Sequence, residues 1–147
     1  MDTFMMFIAK HHFYLRVYIG GCTISIMPTN ITTGKIGEDL ACGYLVKDGY
    51  KVLKRNYKAK WDEIDIIAKE KDGTLVFVEV KTLKDGGRLM PEDNMTSAKI
   101  KKLKRACAAV AGRNADLIDD RKGWRMDLLA LTISGDKCII KHYKNVV

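Results

Sequence analysis

Much that would point to familiar chemistry is missing from this chain. Its four cysteines, Cys22, Cys42, Cys107 and Cys138, lie far apart and form no Cys-x-x-Cys pair. That argues against a disulfide framework and against a thiolate zinc site, and leaves small buried thiols in a reducing cytoplasm as the expectation. The three histidines, His11, His12 and His142, lack metal-ligand spacing, so surface or packing roles are expected for them and no histidine chemistry. There is no internal repeat and no low-complexity tract. The apolar, aromatic N-terminal stretch is broken by Lys10, His11, His12 and Arg16, too often for a membrane-spanning helix. It also lacks the small-residue cleavage pattern of a signal peptide. No membrane association and a cytoplasmic location are therefore expected.

What is present reads as one globular domain. A chain of 147 residues that is 47% hydrophobic and 30% charged can bury a real core. The 26 Lys and Arg against 18 Asp and Glu leave a formal charge of +8, which favours a polyanionic partner such as nucleic acid. Charge alone does not decide it, since many basic proteins bind none. Met27-Pro28 immediately precedes the well-patterned region. Residues 1–26 are accordingly expected to be an extension outside the fold, with translation beginning at Met27 and a single domain over 27–147.

From Thr33 the chain punctuates itself. Ile36, Leu40, Ala41, Tyr44 and Leu45 recur at helical spacing, with Gly49 as a natural stop. Strands are expected over 50–56, 63–68 and 74–82, the last two joined by the turn Lys71-Asp72-Gly73. A loop over 83–94 follows. Thr96 or Ser97 then caps a helix running to Ala111 before Gly112, with Ile100, Leu103, Ala106, Cys107 and Val110 as its buried stripe. After a polar loop over 113–123, two more strands are expected over 124–133 and 138–143.

Glu79-Val80-Lys81 closes the apolar run Leu75-Val76-Phe77-Val78. Successive strand side chains point to opposite faces, so Glu79 and Lys81 project together while Val76, Val78 and Val80 cover the other side as core. A carboxylate and an ammonium inside a strand apolar on both faces need a reason. Asp65, on the preceding strand, supplies a second carboxylate.

The order α-β-β-β-α-β, with the residues Gly34-Lys35-Ile36-Gly37-Glu38-Asp39-Leu40-Ala41, Asn56, Glu63-Ile64-Asp65-Ile66-Ile67, Phe77-Val78-Glu79-Val80-Lys81, Pro91, Lys99 and Arg125-Met126-Asp127, resembles the YraN-like family of bacterial proteins, related to archaeal Holliday-junction resolvases. The likeness runs from Gly34 to the end. It implies an α/β, restriction-endonuclease-like PD-(D/E)XK core, a mixed central sheet flanked by helices. It further implies that Asp65 and Glu79 hold Mg²⁺ or Mn²⁺ through oxygen ligands, which these hard cations prefer. Lys81 would orient the attacking water or stabilise the transition state. Among carboxylates a lysine favours its ammonium form, which suits electrostatic stabilisation better than general-base work. A surface ion pair is the plainer alternative.

Glu38 lies about 20° from Leu45 on a wheel of about 100° per residue, at the margin of the apolar face, whereas Asp39 points outside it. In resolvase-like nucleases a helix glutamate completes the acidic cluster, and the resemblance carries that role to Glu38 as a third metal ligand; a first-turn glutamate favoured by the helix dipole is the alternative. Lys99 falls within the stripe of the second helix and is expected either to point toward the acidic cluster or to snorkel past the core edge. Lys101, Lys102, Lys104 and Arg105 lie off that stripe and could track a nucleic-acid backbone, or simply form a solvated face. Arg125 and Asp127 share a strand face and are expected to form a supporting buried pair.

Two positions depart from the family's usual pattern. Asp62 stands where glycine generally precedes Glu63-Ile64-Asp65, and Leu83 stands where an arginine commonly follows Lys81, a phosphate contact that Lys84 or Arg88 would replace. The expected function is a metal-dependent endonuclease acting on structured or branched DNA. The alternatives are a catalytically silent nucleic-acid-binding accessory module and an RNA-directed nuclease. Paired cuts across a junction would call for a homodimer.

Overall fold

The structure, a computed structural model, describes residues 33–84, 95–135 and 137–147 in full, and the backbone of three strands within 3–26. Those strands are β1 (Thr3–His11), β2 (Tyr14–Ile19) and β3 (Cys22–Ile26). They are followed by α1 (Thr33–Lys47), β4 (Lys51–Lys58), β5 (Glu63–Lys69), β6 (Leu75–Lys84), α2 (Ser97–Arg113), β7 (Trp124–Ser134) and β8 (Lys137–Tyr143). From α1 onward this is the expected α-β-β-β-α-β order, closed by one further strand.

The sheet order is β3-β2-β1-β8-β7-β6-β5-β4. β6 and β7 run parallel and the other neighbours antiparallel, so the sheet is mixed. Helices cover both faces. Leu40, Ala41, Tyr44 and Leu45 of α1 pack on Ile66, Val76, Val78, Val80, Leu129 and Leu131. On the opposite face Leu103, Ala106, Cys107 and Val110 of α2 pack on Ile64, Ile67, Leu75, Phe77 and Met126. β6 is thus apolar on both sides, as a central strand covered by helices has to be. Phe77 is fully buried, and truncating such a ring to alanine costs about 3–5 kcal/mol.

α1 lies close on β6 because Gly37 lets it. A Cβ there would fall 1.8 Å from Thr82 Oγ1, inside any van der Waals contact. The helix ends at Gly49, whose φ of +87° is the left-handed geometry of a helix stop. Among the described residues no helix is long and apolar enough to cross a membrane.

Three expected boundaries move. Within the stretch expected to stand outside the fold, the backbone of β1 pairs with β8 from Thr3↔Lys141 to Phe7↔Lys137, using backbone groups that an outer strand would otherwise leave open. Leu83 and Lys84, expected in a loop, continue β6 because β7 pairs with them at Thr132 and Ile133. α2 runs through Gly112 to Arg113, since buried Val110 and Ala111 hold its last turn on the core and Asn114 caps it through Val110 O at 2.7 Å.

Candidate metal and nucleic-acid site

β5 and β6 part where the charges begin. Their register runs from Lys69↔Leu75 to Ile66↔Val78 and stops, while β6 continues to Lys84 along β7. In place of the next backbone pairing, Asp65 Oδ2 accepts a hydrogen bond from the Val80 N–H at 2.7 Å. The side chain of one strand thus satisfies the backbone of the other and is held at the fork between them.

Glu79 is only 4% exposed. Its Oε1 lies 2.6 Å from Lys81 Nζ and 3.8 Å from Lys99 Nζ. Lys99 also donates to Asp62 Oδ2 at 2.9 Å, and Lys102 Nζ stands 3.8 Å from that oxygen. Lys99 therefore points over the core edge toward the acidic cluster, one of the two orientations expected of it. Burial works against its charge, but the Asp62 hydrogen bond and the Glu79 and Asp65 carboxylates outweigh it and raise its pKa. Asp62, the departure from the family's glycine, is tied into this chain of charges. Burial raises its own carboxyl, but the Lys99 hydrogen bond, the Glu63 N–H and the charges of Lys99 and Lys102 together outweigh it and lower the pKa. Beneath them burial pushes the Cys107 thiol up to about 12, as expected of an inert packing cysteine.

Asp65 is pushed up to about 7, first by burial and then by the charge on Glu79 and, more weakly, on Glu38; the Val80 N–H and Lys81 pull only partly the other way. A carboxylate in a half-dry fork beside a second negative charge is disfavoured in its ionised form. Glu38, on the first turns of α1, is half-buried and takes a hydrogen bond from Asn56 Nδ2 at 2.7 Å. Asn56 adopts φ +47°, a conformation asparagine tolerates better than most residues, and this turns its amide toward the helix. Asp39 points away and pairs with Arg55 at the surface.

Among the described residues, no three carboxylate, histidine or cysteine side chains converge tightly enough to enclose an ion as they stand. Asp65 is turned to Val80 and Glu79 to the two lysines. The donor chemistry nevertheless suits a hard divalent cation. Asp65 and Glu79 offer carboxylate oxygens only, and the repulsion between them is of the kind a bound cation relieves.

Lys101, Lys102, Lys104 and Arg105 are all exposed on α2, and Lys84 is exposed at the end of β6. Arg88 and Pro91 lie outside the described residues. Reading the sequence passed over Trp61, in the β4–β5 turn beside Asp62. It is 39% exposed, with Lys60 Nζ 5.1 Å and Arg105 Cζ 5.6 Å from its ring centroid. An isolated surface tryptophan carries no motif; Arg105, on α2 and far along the chain, joins it only in three dimensions.

Arg125 and Asp127 do form the expected pair, Nε to Oδ1 at 2.9 Å. Their strand alternation sets them with Leu129 on the α1 face, opposite Glu79 and Lys81, and there they belong to a larger network. Asp127, fully buried, also receives the Asn145 N–H at 2.9 Å and His142 Nε2 at 2.9 Å. Because a carboxylate only accepts, the ring donates from Nε2, and its Nδ1 shares a hydrogen bond with Tyr44 Oη at 3.3 Å. Arg125 continues to Glu70 and to Tyr50 Oη, and Lys144 closes on Glu70 at 3.0 Å. His142 is thus a packing histidine, as expected, though a fully hydrogen-bonded one.

Comparison with known proteins identifies a family. The sequence model of Uncharacterised protein family UPF0102 matches residues 37–131. A UPF0102 protein of Trichlorobacter lovleyi is 32% identical over 117 residues, covering 79% of this chain and 90% of its own. One of Chloroherpeton thalassium is 38% identical over 76% and 83%. A third, of Oleidesulfovibrio alaskensis, is 40% identical over 71% of this chain, which spans half of that relative's length. Among solved structures, a repair endonuclease from Pyrococcus abyssi aligns over 82% of this chain and 55% of its own, at 10% identity and a TM-score of 0.38. SfsA of Pyrococcus furiosus in complex with Ca²⁺ aligns over 97% and 94%, at 15% and 0.33. Likeness at those scores is too slight to inform the site.

Proposed function

Since this chain belongs to Uncharacterised protein family UPF0102, whose name assigns no activity, its function rests on the site, and we propose that it is a Mg²⁺- or Mn²⁺-dependent endonuclease acting on structured or branched DNA. The observation that carries the reading is the fork between β5 and β6. It sets Asp65 and Glu79 on facing strands with Lys81 Nζ 2.6 Å from Glu79, and binding phosphate by itself does not call for carboxylates that repel it.

In this reading Asp65 and Glu79, with Glu38 from α1, hold the cation. When bound, it supplies polarisation of the phosphoryl oxygen, a bound water of lowered pKa and neutralisation of the leaving oxygen. The side chains do the rest. Glu79 keeps Lys81 Nζ at the fork, where its charge faces the growing negative charge on phosphate. Lys99 brings a second ammonium from α2. Asn56 fixes the Glu38 carboxylate, and the exposed cations of α2 hold the polyanion over the fork without reading its sequence. A homodimer would set two such forks across a branched substrate.

A second reading has one observation in its favour: Glu79 is already neutralised by Lys81 and Lys99. That describes a nucleic-acid-binding accessory module whose acidic site stays idle. The deciding experiment offers labelled four-way junction, linear duplex, single-stranded DNA and RNA to the purified protein with Mg²⁺, Mn²⁺ or EDTA, beside Asp65→Ala and Glu79→Ala. Metal-dependent cutting abolished by both substitutions is expected, and the substrate cut separates DNA from RNA. Salt-sensitive binding with no cutting under either metal would overturn the enzyme in favour of the accessory module.

A further inference from the structure

Trp61 is out of place for a structural tryptophan. The other one, Trp124, packs edge-on against Phe77 with ring centroids 5.6 Å apart and is half-buried. Trp61 instead stands 39% exposed at the tip of the β4–β5 hairpin, although most of its value to a fold lies in burial. The turn that presents it is well held. Ala59 N–H donates to Asp62 O at 2.9 Å, and Glu63 N–H to Asp62 Oδ1 at 2.9 Å. The indole is therefore displayed from a fixed backbone.

Its surroundings are cationic. Lys60 and Arg105 lie over its ring, and Lys101, Lys102 and Lys104 are likewise exposed on α2. The neighbouring residue, Asp62, is joined through Lys99 to Glu79, 2.9 Å and 3.8 Å on either side of one Nζ. An exposed indole with two cations over its ring, one lysine from the acidic fork, fits a ligand that is polyanionic and carries flat π systems of its own, a base taking the place over the ring that a cation now holds. Nucleic acid is that ligand, and stacking of bases on aromatic side chains with arginine alongside is how unpaired strands are held. An acidic protein surface would satisfy the charges but not the indole. Bases within a duplex are stacked on each other and cannot reach it.

We propose that Trp61 is a stacking platform for an unpaired nucleobase next to the phosphate at the Asp65–Glu79 fork, with Arg105 flanking the stacked base. This rests on the nucleic-acid reading above and narrows it: the substrate has single-stranded character beside the cleavage point, as at a junction arm, flap or gap. Fully paired duplex then binds through phosphates alone and does not use Trp61.

The test is fluorescence anisotropy in EDTA, where nothing is cut, with a labelled oligothymidylate, the same length of abasic strand, and a blunt duplex. Trp61→Ala should weaken the oligothymidylate about 5- to 150-fold, and leave the abasic strand and the duplex within about twofold. Trp61→Phe, which keeps a ring, should recover most of the loss. Equal weakening of all three ligands, or of none, overturns the platform. If Trp61→Ala is silent while the metal-dependent cutting persists, the platform alone fails. If the stacking effect is present in a protein that cuts nothing, the nuclease alone fails. A protein that binds none of the ligands overturns both.

Discussion

Asp65 and Val80 are joined across the fork by a 2.7 Å hydrogen bond from backbone N–H to carboxylate, at the point where their two strands cease to pair. A half-buried carboxylate with one neutral donor and two acidic neighbours is poorly served when ionised. Its pKa of about 7, against an ordinary 3.8, means that the folded state holds a proton the unfolded chain has released.

Stability should therefore fall as pH rises from about 4 to about 7, and the whole cost is present above that. At about 1.4 kcal/mol per pK unit, a shift of this size sets a ceiling of about 4 kcal/mol. Asp65→Asn should raise the Tm near pH 8 and change it little near pH 4. Mg²⁺ should raise the Tm of the unaltered protein near pH 8 and not that of Asp65→Asn. Thermal unfolding across this range checks both, and a Tm difference independent of pH would contradict the assignment.

Asp127 has the opposite sign. Burial raises its carboxyl, but His142, Arg125 and the Asn145 N–H together outweigh it and lower it. It contributes stability that is complete above the unfolded carboxylate range and is lost as pH falls through its folded pKa. Asp127→Ala leaves those three donors without their acceptor in a buried place and should cost about 3–5 kcal/mol in chemical denaturation.

Asp62 restrains Lys99 and adds a negative charge to the approach. Asp62→Asn should tighten nucleic-acid binding and steepen the dependence of log Kd on log salt by about 0.9, one extra phosphate neutralised. Titrations at several salt concentrations measure this. An unchanged slope would mean that Lys99 never reaches the polyanion.

Gly37→Ala should destabilise the fold by about 1–3 kcal/mol through overpacking, because the new methyl meets Thr82 Oγ1 at 1.8 Å. In a Thr82→Ala background the penalty should shrink, as the hydroxyl it strikes is gone. A double-mutant cycle reads the coupling directly, and additive effects would place the clash elsewhere.

Most of the frame was legible because it depends on local patterns. The α1 stripe, the two-sided apolar run of β6 and the Thr96 cap, whose Oγ1 accepts from Lys99 N–H at 3.3 Å, all lie within a few residues of chain. So did the pairing of Glu79 with Lys81, a matter of strand alternation alone. What was not legible needs residues distant in sequence to meet. Glu38 finds Asn56, Asp62 finds Lys99, Arg105 finds Trp61, and His142 finds Asp127; none of these partners is marked by spacing. The boundaries that moved were likewise decided by neighbours: Leu83 and Lys84 read as loop until β7 is beside them, and the backbone of β1 takes its place only against β8.

The close seat of α1 on β6 has a consequence for the charges as well as for the packing. The Gly37 backbone meets the Thr82 side chain directly, and the next residue along the helix is Glu38. The spacing between that carboxylate and the one on Asp65 is thereby set by how the helix backbone seats on the Thr82 side chain. A substitution that merely lifts the helix by a fraction of an ångström, far from any acidic group, is also an electrostatic substitution: it dilutes the negative field at the fork. Catalytic or binding phenotypes from conservative changes along this seam would be failures of focus, with every charged residue still in place.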